Sequence, residues 1–365
     1  MKKLLCLFLC LFLLSGCGSL VEQQNVPEEH PQVPVEQELL SRMTLEEKIA
    51  QMFLVRCPAE DALELAETYQ PGGYLFFARD FENSSVESFQ NKLEQYQSVS
   101  KTPMFFAVDE EGGTVVRASR YSQFRQKPFL SPQELYMDGG MEAIMQDARE
   151  KSAFLRYLGI NLNLAPVCDV SENPADFIYD RSFGKNAKET ADYVSSVVTE
   201  MVQGGLGSCL KHFPGYGNNA DTHTGIAYDK RTYETFTESD FLPFAAGITA
   251  GAGMVMVSHN VVFSMDSALP ASLSGEVHRI LREELNFEGV IITDDLAMDA
   301  IGDFTGDENA AVLAVLTGND MICTTNFVIQ MEAVAEAVCQ GEISEEAIDA
   351  SVLRILRYKK KLGLG

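Results

Sequence analysis

Basic residues are scarce in this sequence. Its 365 residues include 28 lysines and arginines against 53 aspartates and glutamates, which gives a formal net charge of −25. Binding to a nucleic-acid backbone needs clustered cations that displace counterions, so this charge argues against a nucleic-acid partner. It equally disfavours attraction to a polyanionic membrane surface and indicates a neutral substrate. The 46% hydrophobic content is ordinary for a globular protein and excludes wholesale disorder.

The short motifs that mark common cofactor and nucleophile sites are also absent. The sequence has no HExxH motif and no CxxC pair, so no zinc site is predicted. It has neither GxxxxGKS/T nor GxGxxG, which excludes the usual phosphate-binding and dinucleotide-binding loops. No serine lies in a GxSxG turn. We therefore expect neither a metal nor a cofactor.

The N-terminal apolar run is too short to span a bilayer as a helix. This run, Leu4–Leu14, follows two lysines and has the pattern of a secretory signal. It ends in Leu14-Ser15-Gly16-Cys17, which resembles a bacterial lipobox. We expect residues 1–16 to be a lipoprotein signal peptide and Cys17 to carry lipid, which would make the protein extracytoplasmic and membrane-anchored. The alternative is an ordinary signal peptide cleaved nearby, with Cys17 incidental.

Proline and polar residues dominate the segment after Cys17. Residues 17–37 are rich in Glu, Gln, Val and Pro and lack apolar periodicity, which predicts a lipid-anchored flexible tether. The folded part is then expected over residues 38–365. It contains five cysteines with no metal-ligand spacing, and we expect them to be small buried hydrophobic residues. A disulfide stays open, because spacing cannot choose a pair.

Eight short apolar runs alternate with amphipathic helical patterns along the folded part. The predicted strands are Met52–Val55, Gly73–Phe77, Met104–Val108, Ile160–Ala165, Ser208–Lys211, Met254–Ser258, Val290–Thr293 and Asp320–Cys323. The helical patterns include Ala59–Tyr69, Val86–Tyr96, Ala187–Val202, Gly275–Leu285, Glu308–Leu316 and a last helix from Glu345 to about Lys361. Such alternation predicts parallel strands with both sheet faces covered. Eight units in about 330 residues predict the α/β class, a (β/α)8 TIM-like barrel forming a single catalytic domain.

Polar side chains follow most of these strands at the end where barrels of this type place their chemistry. Asp109 comes after the third strand, His212 after the fifth, His259 after the sixth and Asp294 after the seventh. Their coincidence at one rim predicts an active site. A carboxylate directly after a strand, together with Asp221-Thr222-His223, fits glycoside cleavage, which needs a carboxylate nucleophile and a proton donor.

Two longer segments surround these residues: Lys211-His212-Phe213-Pro214-Gly215 followed by Asp221-Thr222-His223, and Ile292-Thr293-Asp294-Asp295-Leu296-Ala297-Met298. They resemble the signatures of glycoside hydrolase family 3, specifically its β-N-acetylhexosaminidase (β-N-acetylglucosaminidase) branch. Further matches come in the family's order and cover essentially the whole chain after the tether. They are Met43–Lys48, Gly72–Phe77, Asp109–Arg117, Asn163–Asp169 and Asp180–Gly184.

The resemblance implies a role for each matching residue. Asp294 would be the nucleophile that forms a covalent glycosyl-enzyme, and His223 would be the general acid/base, oriented by Asp221. Residues that would bind the hydroxyls of the reacting sugar are Asp109, Arg181, Lys211 and His212, supported by Arg117. The resemblance implies retention of configuration, a carbohydrate substrate such as a cell-wall (peptidoglycan) fragment, and a monomeric enzyme.

Other polar residues at the rim have structural interpretations. Asp295 is expected to be a structural neighbour or helix N-cap, and Asp169 to pin a loop. Glu110 and Glu111 are expected to form a solvated or arginine-paired face. His259 either lines the pocket or satisfies loop carbonyl groups.

This chain departs from the branch at Tyr216, where a histidine usually follows Pro-Gly. The loop from Lys211 to Asp221 is also one residue shorter than the common pattern. The departure leaves open the identity of the group beyond the cleaved bond. The alternatives are a glycoside phosphorylase or β-glucosidase-like hydrolase of the same family and, in another class, a non-catalytic sugar-binding lipoprotein.

Overall fold

A closed parallel sheet forms the centre of the computed structural model, which describes residues 34–219, 225–298, 301, 304–305 and 307–364. Within these residues the strands are β1 (Phe53–Arg56), β2 (Gly73–Phe76), β3 (Phe105–Val108), β4 (Leu162–Asn163), β5 (Gly207–Phe213), β6 (Tyr228–Asp229), β7 (Met254–Val257), β8 (Val261–Val262), β9 (Val290–Thr293) and β10 (Ile322–Thr324). Eight of them pair in the order β10-β1-β2-β3-β4-β5-β7-β9. A parallel bridge between Ile292 and Met321 joins the two ends. The predicted (β/α)8 barrel is confirmed, with a strand at each of the eight predicted positions.

Helices surround this barrel. In the described residues they are α1 (Val35–Arg42), α2 (Leu45–Gln51), α3 (Ala62–Tyr69), α4 (Ala78–Glu82), α5 (Val86–Val99), α6 (Pro132–Tyr157), α7 (Ala187–Gln203), α8 (Phe241–Thr249), α9 (Gly275–Arg279), α10 (Asp307–Leu316), α11 (Phe327–Cys339) and α12 (Glu345–Lys361). A π-helical turn, Ile280–Glu284, continues α9 to complete the helix predicted there. None of the helices in this part of the chain is long and apolar enough to cross a membrane.

Local sequence explains where these elements form. Strands β1 to β3 are buried on both faces, as expected for apolar runs under a layer of helices. Asn186 caps helix α7: its side chain accepts the backbone N–H of Glu189 and so satisfies one of the unpaired amides of the first turn. Its buried residues recur at helical spacing and face the core: Thr190, Tyr193, Val194, Val198 and Met201.

Four features of the fold were not predicted. Helix α1 begins at Val35, before the predicted start of the folded part at residue 38, because Leu39 and Leu40 pack on the core. Strand β4 is only two residues long, because the chain turns at Ala165, whose backbone N–H donates to Asn163 O at 2.8 Å. Helix α6 was not predicted, because Gly139-Gly140 interrupt its amphipathic pattern, and the backbone leaves the helical conformation there. A second small sheet pairs β6 with β8.

The cysteines of the folded part are unpaired. Cys57, Cys168, Cys209 and Cys323 are buried within the two main hydrophobic clusters, and Cys339 is exposed. The prediction of small buried hydrophobic residues is therefore confirmed for four of the five.

A buried lysine below the barrel leads to a first prediction. Lys359 of α12 is 1% exposed, and its Nζ donates to Gln51 Oε1 at 2.7 Å. Burial lowers the pKa of this amine to about 7. Above pH 7 the folded protein has lost this proton, but the unfolded chain still binds it. Rising pH therefore reduces the destabilisation that comes from burying the lysine. We expect Lys359→Met to raise the free energy of unfolding at pH 7. That gain should shrink by about 1 kcal/mol per pH unit between pH 7 and 10.

Urea unfolding of wild type and variant across this pH range measures the gain. Lys360→Met is the matched control, because Lys360 is 56% exposed in its surface ion pair with Glu36. A gain independent of pH, or an equal one in the control, would contradict the assignment.

Candidate active site

A cleft opens at the carboxyl ends of the barrel strands. It contains about 1150 Å³ of empty space out to its open mouth, which is ample for a small-molecule ligand, since such sites span roughly 300–1,000 Å³. Its polar lining residues are Arg56, Asp109, Glu111, Arg117, Arg181, Lys211, His212, Asp294 and Asp295. Six predicted site residues, Asp294 and the five expected sugar ligands, therefore meet in one cavity.

A network of four charged side chains forms one wall. Lys211 Nζ lies 2.6 Å from Asp109 Oδ1 and 2.6 Å from Glu111 Oε1. Arg181 donates twice to Glu111, from Nε at 3.0 Å and from Nη2 at 2.8 Å. Two cations and two carboxylates therefore alternate, with Lys211 and Glu111 buried and Asp109 and Arg181 slightly exposed.

This pairing governs the charge states of the network. Burial alone would raise the pKa of the Glu111 carboxyl, but Arg181 and Lys211 outweigh it and hold that pKa well below its usual range. Burial likewise opposes the charged form of Lys211, but Asp109 and Glu111 raise the pKa of its amine. Glu111 and Lys211 therefore stay charged near neutral pH, and the network presents fixed donors and acceptors to a polyhydroxylated ligand.

His212 is held in one tautomer by its two neighbours. Its Nδ1 lies 2.8 Å from Asp169 Oδ2, and its Nε2 lies 3.2 Å from Arg181 Nη2. Because a guanidinium only donates, Nε2 must accept, which places the proton on Nδ1. Asp169 Oδ1 also accepts the backbone N–H of Tyr216 at 2.7 Å. The prediction that Asp169 pins a loop is confirmed, and the residue also orients His212.

Asp294 directly follows β9 and lines the cleft. Its backbone N–H donates to Val257 O at 2.9 Å, and its Oδ1 accepts the backbone N–H of Asp295 at 2.9 Å. The Asp295 carboxylate instead accepts the backbone N–H of Ala297 at 3.0 Å. This turn supports the structural interpretation of Asp295 and orients Asp294 at the rim.

Asp221 and His223 lie outside the described residues, as does Cys17. The structure describes the chain again from Gly225, and ion pairs and a hydrogen bond fix the residues that follow. Arg231 binds Asp229 and Asp240, and its Nη2 donates to Gly215 O at 2.9 Å. Gly215 itself has a φ of 125° and sits against Asp240 where a Cβ would collide, so only glycine fits this turn.

One structural interpretation from the sequence needs revision. Glu110 is wholly buried, and its carboxylate accepts the backbone N–H groups of Arg117 and Ala118, so a solvated face is wrong here. A loop that folds back over strand β3 needs an internal acceptor for its amides, which the linear sequence does not reveal. Glu111 follows the arginine-paired alternative. His259 satisfies a loop carbonyl, since its Nε2 lies 3.1 Å from Asp295 O.

Sequence reasoning missed two residues of the cleft wall, Arg56 and Phe77. The Arg56 guanidinium carbon lies 4.1 Å from the centre of the Phe77 ring. A charged residue at the carboxyl end of an apolar strand was the available signal. Tyr216 is 1% exposed and meets the His212 ring edge-on, with 5.1 Å between ring centres, so this departure from the branch lies behind His212.

Comparisons with known proteins show which family the chain matches. Residues 44–358 match the family described as "Glycosyl hydrolase family 3 N terminal domain". The chain is 32% identical over 327 residues to "Beta-hexosaminidase A" of Pseudoalteromonas piscicida, covering 82% of this chain and 55% of that protein. It is also 32% identical over 269 residues to the "Beta-hexosaminidase" of Methylococcus capsulatus, covering 73% and 79% of the two chains.

Solved structures show the same relationship. A glycoside hydrolase family 3 β-N-acetylglucosaminidase from Paenibacillus sp. superposes with a TM-score of 0.82 at 29% identity, over 88% of this chain and 63% of that one. LpqI of M. tuberculosis superposes with a TM-score of 0.80 at 28% identity, over 88% and 95%. The chain thus spans about half to two thirds of some relatives and nearly all of others. The chain belongs to glycosyl hydrolase family 3, whose N-terminal domain it carries.

Proposed function

We propose that this protein is a retaining exo-β-N-acetylglucosaminidase that removes terminal β-linked N-acetylhexosamine from cell-wall (peptidoglycan) fragments or related glycans. The observation that carries the proposal is the placement of Asp294 in the same cleft as the Lys211–Asp109–Glu111–Arg181 network. Relatives named β-hexosaminidases and β-N-acetylglucosaminidases support the choice of sugar.

The reaction follows from the chemistry of these groups. Asp294 attacks the anomeric carbon, and the glycosidic oxygen leaves as His223 gives it a proton. His223 then takes a proton from water, which attacks the glycosyl-aspartate and regenerates the Asp294 carboxylate. Two displacements retain the configuration. During both, Lys211, Asp109 and His212 hold the sugar hydroxyls so that the anomeric carbon stays within reach of Asp294.

Support for His223 as acid/base comes from the resemblance of Asp221-Thr222-His223 to the family's signature, and the described residues on either side of it make polar contacts. Asp229, Arg231 and Asp240 form a partly buried ion-pair network after this segment. Before it, Asn219 donates its amide N–H to Tyr216 O at 2.8 Å and also bonds Asp229. The described residues on the two sides of this segment are therefore joined in one polar network.

Replacing His223 tests the acid/base assignment. We expect His223→Ala to lower kcat/KM for an N-acetylglucosamine disaccharide by about 10²–10⁴-fold. The loss should be much smaller for p-nitrophenyl β-N-acetylglucosaminide, because p-nitrophenolate leaves without a proton. Asp221→Asn should give an intermediate loss with the same dependence on the leaving group. Equal losses on both substrates would contradict an acid role.

The same assays separate the alternatives. Purified protein is given p-nitrophenyl β-N-acetylglucosaminide and the matching β-glucoside, each with and without inorganic phosphate. Preference for the acetylated sugar supports the hexosaminidase, and preference for the glucoside supports the β-glucosidase-like enzyme. Phosphate-dependent release of sugar 1-phosphate supports the phosphorylase. No turnover of any substrate, with sugar binding retained, would leave the non-catalytic binding protein.

We also propose that Cys17 carries lipid and anchors the protein at an extracytoplasmic membrane surface. The lipobox-like Leu14-Ser15-Gly16-Cys17 motif supports this placement. In a bacterial host, Cys17→Ser should abolish incorporation of labelled fatty acid and move the protein from the membrane fraction to the soluble extracytoplasmic fraction. An unchanged membrane fraction would contradict the anchor.

A further inference from the structure

A second cavity, called the basal groove below, lies at the end of the barrel opposite the cleft. It contains about 680 Å³ of empty space out to its mouth and is lined by the start of α1 and the end of α12. Thr102 and Pro103, which come just before β3, also line it, so it lies at the amino ends of the strands. Its apolar side chains are all aliphatic: Val35, Leu39, Pro103, Leu356 and Leu364. A saturated lining of this kind matches a hydrocarbon chain in polarity.

The basal groove is basic, although the chain as a whole has a net charge of −25. Its charged lining residues are two lysines and one glutamate, Lys359, Lys360 and Glu36. Lys360 Nζ lies 2.6 Å from Glu36 Oε2. The Lys359 amine is held by Gln51, and among the residues that the structure describes no carboxylate pairs with it. The single acid of the lining is therefore already paired.

The last turns of α12 add further positive charge beside the groove. Arg357 and Lys361 are exposed, and within the described ranges neither forms an ion pair with a carboxylate. Together with Lys360 they lie at i, i+3 and i+4, on one face of the helix. The hydrogen bond from Lys360 and, more weakly, the charge of Arg357 lower the pKa of the Glu36 carboxyl, so Arg357 is near the groove. Salt screens charges more than about 10 Å away, so these cations outweigh the distant acids there.

The chain itself connects the basal groove to the expected anchor. Val35, which lines the groove, comes 18 residues after Cys17. Such a length of chain spans at most about 65 Å when fully extended. With Cys17 lipidated, Val35 therefore stays within this distance of the bilayer, which raises the effective concentration of membrane lipid at the groove.

We propose that the basal groove takes an acyl chain of an anionic membrane lipid, so that the amino end of the barrel docks on the bilayer and the cleft faces away from it. Burial of hydrocarbon against the aliphatic lining drives the contact. Lys360 and Arg357 attract the negative headgroup. The inference rests on the proposed lipid anchor and is independent of the proposed reaction. It also limits the expectation from net charge, which applies to the whole surface and not to this end.

The absence of tryptophan from the chain provides a test. Val35 is 68% exposed at the first position of α1, so Val35→Trp places a single fluorescent probe at the groove. The full-length lipoprotein is reconstituted into vesicles of equal parts phosphatidylglycerol and phosphatidylcholine, with bromine on the acyl chains of one lipid or the other. Brominated chains quench tryptophan on contact. We expect brominated phosphatidylglycerol to quench the probe at least about twofold more than brominated phosphatidylcholine does.

Matched variants at the cleft end of the barrel are the controls. Ile329 is 53% exposed near the start of α11, which follows β10, and we expect neither lipid to quench Ile329→Trp. Lys360→Gln in the Val35→Trp protein should bring the ratio of quenching by the two lipids close to one. Lys188→Gln removes the same charge from an exposed position at the start of α7 and should leave the ratio unchanged.

Leu364→Trp, at another lining residue, repeats the measurement if circular dichroism shows that Val35→Trp perturbs the fold. Equal quenching by the two lipids, or quenching of Ile329→Trp to the same extent, overturns the inference. Groove probes that neither lipid quenches also overturn it, and this result is expected if a second copy or the lipid on Cys17 fills the groove.

Fatty-acid labelling of Cys17 tests the anchor separately. A labelled protein whose groove probes are not quenched overturns the inference and keeps the anchor. If Cys17 is unlabelled, the anchor fails, and the protein is added to preformed vesicles of the same composition. Quenching selective for phosphatidylglycerol then still supports the groove, and its absence overturns it. Hydrolysis of p-nitrophenyl β-N-acetylglucosaminide by the same samples reports the proposed reaction independently of either result.

Discussion

Asp294→Asn is expected to lower kcat/KM for p-nitrophenyl β-N-acetylglucosaminide by about 10⁴-fold or more. The asparagine keeps the shape of the side chain but removes the negative charge and most of its nucleophilicity, so the covalent step is lost. Binding should survive, because the Lys211–Asp109–Glu111–Arg181 network does not depend on Asp294. The measurement is steady-state kinetics together with the affinity for N-acetylglucosamine.

The neighbouring carboxylate is the matched control. Asp295→Asn should cost at most about tenfold, because the Asp295 carboxylate accepts the backbone N–H of Ala297 and an amide oxygen can accept the same bond. A covalent glycosyl adduct on wild type, found by mass spectrometry after acid quenching and absent from Asp294→Asn, would locate the nucleophile. If Asp295→Asn were the inactive variant, the two assignments would be reversed.

Glu111→Gln is expected to lower the free energy of unfolding at pH 7 by about 3–5 kcal/mol. The substitution leaves Lys211 and Arg181 as buried cations that share too few carboxylates, which is the costly way to break a buried ion pair. Glu111 is 4% exposed and accepts from both cations. Because Lys211 also orients Asp109, we expect KM for the sugar to rise as well. Urea unfolding and steady-state kinetics measure the two effects.

The pH dependence gives a second readout for Glu111. Its pKa is held below the ordinary value, so its contribution is fully present above the unfolded pKa of about 4.3 and is lost as pH falls towards the folded pKa. The stability difference between wild type and Glu111→Gln should therefore be constant from pH 7 to 5 and shrink at lower pH.

A surface pair provides the comparison. Glu150 is 52% exposed and lies 3.5 Å from Arg125, so Glu150→Gln should change stability by at most about 1 kcal/mol. A comparably small effect of Glu111→Gln would mean that the buried network does not hold the fold.

Much of the architecture could be predicted from the sequence, because its signals are local. A buried parallel strand needs a short apolar run, and a helix over the sheet needs an apolar stripe at helical spacing. Strand β9 shows the first pattern and matches its predicted bounds. Helix α12 shows the second, and its basic last turn suits the helix dipole. The position of Asp294 at the rim follows from the end of β9 in the same way.

The pairing inside the cleft could not be predicted, because it joins residues far apart in the chain. Glu111 and Arg181 are 70 positions apart, and Asp169 and His212 are 43 apart. No periodicity records which carboxylate meets which cation. From the sequence, Glu110 and Glu111 received the same interpretation. In the structure, Glu110 holds a loop, whereas Glu111 binds Arg181 and Lys211.

The sequence by itself therefore determined the barrel, the rim and the residue types available for chemistry, since each depends on short-range patterns of apolar and polar residues. Only the tertiary structure decided which of those charges are neutralised. Arg181 and Lys211 meet carboxylates and stay fixed, whereas Arg56 meets an aromatic ring and keeps its donors. The physical reason is that the strength of an ion pair depends on distance and burial, and closure of the barrel sets both.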